Sequence, residues 1–191
     1  IVVRPTWEEY TPQGDEIVID LDPGAAFGTG AHATTAMCLR WLEHIVCPQM
    51  RVYDVGCGSG ILAIAASKLG AGEVIAMDYD PVAVSVAEEN VRANNVTNVA
   101  VFESDLLSIC AGTEPAELIT ANIIADIIIR LFDQLDRHLA PGGILLASGI
   151  IDDRIVDVER AATEHGYTVL DMTCEKEWAA MIIRRSSELK L

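Results

Sequence analysis

Two hydrophobic periods alternate along this chain. Short aliphatic runs at residues 51–55, 74–78, 99–102, 118–121 and 144–148 are bounded by glycine, asparagine, proline or charged residues, and such runs read as strands. The run at 118–121, Leu-Ile-Thr-Ala, reads as a strand buried on both faces. Segments with helical spacing lie between them. Residues 61–66 are alanine-rich, and residues 81–94 set Val82, Val86 and Val91 among Glu88, Glu89 and Arg92, with Pro81 in the first turn. Residues 36–45 offer Met37, Leu39, Leu42 and Ile45 for packing; 126–139 and 152–164 are the remaining helices, the last closed by Gly166. This alternation predicts an α/β domain, a mostly parallel doubly wound sheet with helices on both faces. Runs at 167–172 and 178–184 add an antiparallel hairpin at the sheet edge and bring the expected strands to seven.

Before this unit come two short β-type runs, 1–3 and 17–21, separated by the turn-rich Thr11-Pro12-Gln13-Gly14-Asp15. Residues 1–21 are therefore expected to be a linker or N-terminal hairpin and 22–191 the main domain, in keeping with a single domain for 191 residues. The chain opens on Ile1 rather than Met, which reads as a piece of a longer protein. No apolar run approaches the length of about eighteen residues that would span a bilayer, and Arg4, Glu8 and Glu9 leave no signal-peptide core, so the expected location is cytosolic. Five scattered cysteines without a Cys-x-x-Cys pair read as free thiols. Thirteen basic against 29 acidic side chains give a net charge of −16. That argues against direct nucleic-acid binding; it suits a cationic protein or amine partner, or serves solubility alone.

The chemistry is concentrated in Asp54-Val55-Gly56-Cys57-Gly58-Ser59-Gly60, which joins a strand to the helix opening at Ile61. Glycines at alternate positions let the backbone turn sharply and leave no Cβ between loop and ligand, while the helix start offers unpaired N–H groups. A ligand with a ribose and a charged amino-acid tail fits such a turn. The next strand ends in Asp78, where one carboxylate can hold two ribose hydroxyls. In a nicotinamide dehydrogenase the third glycine falls at the sixth position of the fingerprint, which here is Ile61. Asp-x-Gly-x-Gly-x-Gly instead resembles motif I of the Rossmann-like, class I S-adenosylmethionine-dependent methyltransferases, and Asp78 resembles their second-strand acid.

Upstream, Asp22-Pro23-Gly24-Ala25-Ala26-Phe27-Gly28-Thr29-Gly30-Ala31-His32-Ala33-Thr34-Thr35 forms an irregular loop rich in glycine and hydroxyl groups. With motif I and Asn122-Ile123-Ile124-Ala125 it is similar to the bacterial methyltransferases of ribosomal protein L11, and the similarity continues through Ser148-Gly149-Ile150 to Glu177-Trp178. Ala33 stands where that family often has proline. The resemblance implies S-adenosyl-L-methionine as cofactor and N-methylation of lysine and/or α-amino groups of ribosomal protein L11, a basic protein partner, with no direct nucleic acid and no membrane. It also implies an upstream substrate-recognition domain, expected to be absent here. Thr35, Asp54, Gly56, Gly58, Gly60, Asp78, Asp105 and Asn122 belong by this resemblance to the cofactor site, and Asn122 is the expected catalytic residue.

Read by themselves, the residues leave alternatives. The Asn122 carbonyl can accept a hydrogen bond from an amine and orient its lone pair, although an amide is too weak a base to take the proton; it can also be a strand-end turn residue. Asp105 meets an adenine amino group or is an exposed turn acid. Thr35 or Thr34 can cap a helix, His32 can be a loop histidine or a base, and Phe27 can cover the donor or merely pack. No His or Cys cluster has metal-ligand spacing. Another lysine-bearing protein, a small-molecule amine, or a non-catalytic cofactor-binding role also fits.

Overall fold

The computed structural model describes residues 1–22 and 30–188. Within them β1 (Val2–Pro5) pairs with β2 (Val18–Leu21), and α1 (Ala33–Ile45) leads into the main sheet. That sheet is built from β3 (Arg51–Val55), β4 (Glu73–Asp78), β5 (Val99–Glu103), β6 (Ala116–Asn122), β7 (Leu139–Ile151), β8 (Tyr167–Glu175) and β9 (Trp178–Arg185), in the spatial order β5-β4-β3-β6-β7-β9-β8. α2 (Ile61–Lys68) and α3 (Pro81–Ala93) connect the first three strands, and α4 (Ala125–His138) and α5 (Ile155–Glu164) follow β6 and β7. All neighbours are parallel except β9, which runs antiparallel to both β7 and the edge strand β8.

This is a doubly wound, Rossmann-like arrangement. Each inner strand is covered on both faces, which explains its near-continuous apolar runs. One core joins Leu39, Leu42, Ile61, Ile64 and Val91 from α1, α2 and α3 to Val52, Val74 and Leu118 of the sheet. The other joins Ile128, Phe132, Leu135, Val158 and Ala162 from α4 and α5 to Tyr53, Ile119, Leu145 and Met181. Strand order reverses between β3 and β6, so the loops beyond their carboxyl ends diverge and open a crevice.

Four expectations need correction. The N-terminal pair is parallel, Val2 opposite Val18 and Pro5 opposite Leu21, so it is not a hairpin. Its direction is set by docking: Ile19 and Leu21 are buried in the main core, Asn94 holds the Asp20 backbone at both N–H and C=O, and residues 6–17 give enough chain to return to the same end. α1 starts at Ala33 rather than 36, because the His32 ring accepts the Thr34 N–H and caps it. The turn expected at 141–143 lies inside β7 as an irregularity, where the register shifts between Ala116 and Leu118 of β6 and Gly142 takes φ +73°. Residues 152–154 form a separate 3-10 turn before α5.

Candidate active site

The glycine loop is anchored to its neighbour strand before any ligand is considered. Gly56 N–H and Cys57 N–H both donate to the Met77 carbonyl at the end of β4, at 2.8 and 3.0 Å. Gly58 N–H donates to Asp78 Oδ2 at 2.9 Å, and Asp78 Oδ1 accepts from Asp80 N–H at 3.0 Å. The second-strand acid thus fixes the loop's shape while lining the crevice above it. Gly60 is required by packing: it has φ +79°, and an added Cβ would sit 3.2 Å from Ala87 Cβ of α3.

Asp54 does not reach the crevice. It is 1% exposed, Oδ2 accepts from Ala63 N–H at 3.1 Å, and Oδ1 accepts from the Thr120 hydroxyl at 2.6 Å. Gly60, the residue before α2, has no side chain to cap the helix, so Asp54 reaches from β3 and takes a first-turn amide in its place. Burial pushes its pKa up to about 6, against the lowering by Thr120 and Ala63; the Asp78 charge adds to the rise.

At the end of β6, Asn122 faces Ser148 across the β6–β7 ladder. Its Nδ2 donates to Thr35 Oγ1 at 3.3 Å, and its Oδ1 is buried with no hydrogen-bond partner. Thr35, fully buried in the first turn of α1, therefore fixes the amide. A buried carbonyl oxygen left open at the edge of a crevice is a costly feature that a bound N–H donor relieves.

These parts enclose a cavity of about 850 Å³. Of the expected site residues, Gly56, Gly58, Asp78, Asp105 and Asn122 line it; Asp54, Gly60 and Thr35 stand behind the wall and hold it. Asp105 is exposed, as the turn-acid alternative expects, and Arg130 Nη2 of α4 donates to its two oxygens at 3.2 and 3.5 Å. His32 lines the cavity, as does Trp178, whose ring lies edge-on to it at 5.2 Å. Phe27 falls outside the described residues. Sequence reasoning missed Tyr79, Arg130, Trp178 and Gly149 as wall residues, and for Gly149 and Trp178 a signal existed in the Ser-Gly-Ile and Glu-Trp elements of the resemblance.

Comparison with known proteins bears on this geometry. The family model described as Ribosomal protein L11 methyltransferase (PrmA) matches residues 1–186. The chain belongs to this family. A family relative from Caldanaerobacter subterraneus subsp. tengcongensis, named ribosomal protein L11 methyltransferase, is 56% identical over 97% of the chain and 59% of its own length. One of the same name from Heliobacterium modesticaldum is 52% identical over 97% of the chain and 58% of its own length. The crystal structure of a ribosomal protein L11 methylase from Lactobacillus delbrueckii subsp. bulgaricus is 38% identical, with a TM-score of 0.88 over 96% of this chain and 93% of that one. The chain thus spans somewhat under three fifths of the length of these curated family relatives.

Proposed function

We propose that residues 22–191 form the catalytic unit of an S-adenosylmethionine-dependent protein N-methyltransferase acting on lysine and/or α-amino groups of ribosomal protein L11, a role that places it in the cytoplasm. The observation that carries this reading is the open, buried Oδ1 of Asn122 beside the glycine loop, in a chain of this family. The donor set fits the cofactor. Gly56 and Gly58 present backbone without side chains, Asp78 keeps lone pairs beyond the two amides it accepts, and Asp105 offers a carboxylate for an exocyclic amine. Bound there, S-adenosylmethionine supplies a methyl group already activated by its sulfonium.

The protein's remaining work is to position and to desolvate. A lysine amine is a nucleophile only when neutral, and at an ordinary pKa of about 10.4 it is almost wholly protonated at neutral pH. The apolar walls formed by Ile123, Ile124 and Ile127 disfavour the ammonium form once the amine has left water. Asn122 Oδ1 accepts one N–H of the neutral amine and turns its lone pair toward the glycine-loop side of the cavity; solvent takes the proton. Correct placement of two reacting groups is worth several kcal/mol of barrier, which makes a rigid acceptor valuable without any basicity.

Transfer of a labelled methyl group to purified ribosomal protein L11 tests the proposal. Methylation is expected from the unaltered protein, with a loss of about 100-fold in Asn122→Ala at nearly constant donor affinity. Donor binding without transfer to L11 or to any lysine-containing protein would leave only a cofactor-binding domain.

A further inference from the structure

Next to the cavity the protein exposes an apolar face that its own fold does not cover: Ile124 is 64% exposed, Ile151 41% and Val156 68%. The three come from different elements held together locally. Ile151 of β7 pairs with Trp178 of β9, Asp152 N–H donates to the Glu177 carbonyl at 3.0 Å, and Arg154 reaches Asp126 Oδ1, two residues beyond Ile124, at 2.6 Å. Ile124 and Trp178 also line the cavity, so this face is continuous with its mouth on the Asn122 side. Its charge is one-sided. Arg154 and Arg160 are tied to Asp126 and Asp157, whereas Asp152, Asp153 and Glu177 have no ion-pair partner among the described residues, and exposed Lys176 offsets only one of them.

We propose that this face docks the segment of the protein substrate that presents the amine, an extended, net-basic segment with an apolar side chain near the reacting nitrogen. The inference rests on the methyl-transfer reading of the cavity and adds the route by which the amine arrives. A cationic segment is drawn to Asp152, Asp153 and Glu177, and its apolar side chain covers Ile151 and Val156. The amine then crosses Ile124 into the cavity, and the passage from acidic rim to apolar mouth strips water from the nitrogen as it nears Asn122 Oδ1.

The test pairs Asp152→Lys/Asp153→Lys with Val156→Ser, all on exposed positions outside the cavity wall, and reads three quantities with purified ribosomal protein L11. These are donor affinity by calorimetry, L11 binding by fluorescence anisotropy, and kcat and KM for labelled methyl transfer. The charge reversal is expected to weaken L11 binding and raise KM about 10-fold at low salt, with kcat and donor affinity within twofold, and the serine variant to do so about 3-fold. In the unaltered protein KM is expected to rise with salt, and in the charge-reversed protein to rise much less. Unchanged L11 binding and KM in both variants overturn the docking face while leaving the methyl-transfer reading intact. L11 binding that the variants abolish, with no methyl transferred by any form, upholds the face and removes the reading. No L11 binding by the unaltered protein overturns the face.

Discussion

Replacing Asp78 by asparagine perturbs two interactions that the structure allows to be separated. The carboxylate accepts Gly58 N–H on one oxygen and Asp80 N–H on the other, so an amide must turn its NH2 toward one of these donors and leave two N–H groups face to face. Losing a hydrogen bond to a charged acceptor costs about 1.5–3 kcal/mol. For a chain of this size that is a fall of about 3–12 °C in Tm, from the loop alone. If the same carboxylate also holds ribose hydroxyls, donor affinity falls by a similar free energy, about 10- to 140-fold at 1.4 kcal/mol per decade. Calorimetry with S-adenosylhomocysteine and its 2′-deoxy analogue, on both proteins, closes a double-perturbation cycle. The deoxy analogue is expected to bind the unaltered protein more weakly than the parent ligand and to bind Asp78→Asn about equally with it. Should the analogue lose the same affinity in both proteins, Asp78 acts only through the loop, and the ribose assignment is refuted.

Asn90→Ala removes three bonds by which a buried α3 side chain ties the Ser59 carbonyl of the glycine loop to the backbone of Asp22; a loss of about 2–4 kcal/mol is expected in urea unfolding, with weaker donor binding. Asp54 makes stability fall with pH, because its native pKa of about 6 lies above the ordinary value of 3.8: between these the folded state binds more protons than the unfolded, so its favourable contribution is complete below about 4 and is lost as pH rises through 6. The stability of Asp54→Asn relative to the unaltered protein is therefore expected to increase from pH 4.5 to 6.5 and then level off, and a constant difference in unfolding titrations would remove the buried-charge account. Gly149→Ala is expected to lower Tm and methyl transfer together, since φ is +83° and an added Cβ would lie 2.5 Å from the Ile123 carbonyl oxygen.

The parts of this molecule that were legible in the sequence are those with local causes. Strand and helix alternate visibly because each inner strand must be apolar on both faces, and the glycine loop stands out because its φ values of +70°, +53° and +79° exclude side chains. Asp78 and Asn122 fall at the ends of β4 and β6, where the sheet order directs ligands. What escaped has non-local causes. Nothing near residue 18 reveals that β2 pairs parallel to β1, since Asn90, Asn94 and the core beneath decide it from some seventy residues away. Asp54 looked like a ligand acid because its motif position says so, but its burial is set by Thr120 and α2. Arg130 occupies an ordinary position on a helix, and only the closed sheet brings it to the cavity.

One residue links the glycine pattern to the placement of the amide. Ile123 follows Asn122 directly and is wedged between two loops: a Cβ on Gly56 would lie 2.3 Å from its Cγ2, and one on Gly149 would lie 2.5 Å from its carbonyl oxygen. Its own N–H donates to the Ser148 carbonyl at 3.0 Å, so the turn after β6 is fixed by β7 on one side and by the glycine loop on the other. Both glycines therefore have a purpose beyond admitting a ligand: a methyl on Gly56 would displace the Ile123 side chain, and a methyl on Gly149 would push the Ile123 backbone outward. Asn122 cannot follow without stretching its 3.3 Å bond to Thr35, which holds the amide from α1. Three segments far apart in the chain thus converge on one carbonyl oxygen. That convergence explains how an unpaired buried acceptor persists here: the surrounding packing determines its position more strongly than its missing hydrogen bond can disturb it.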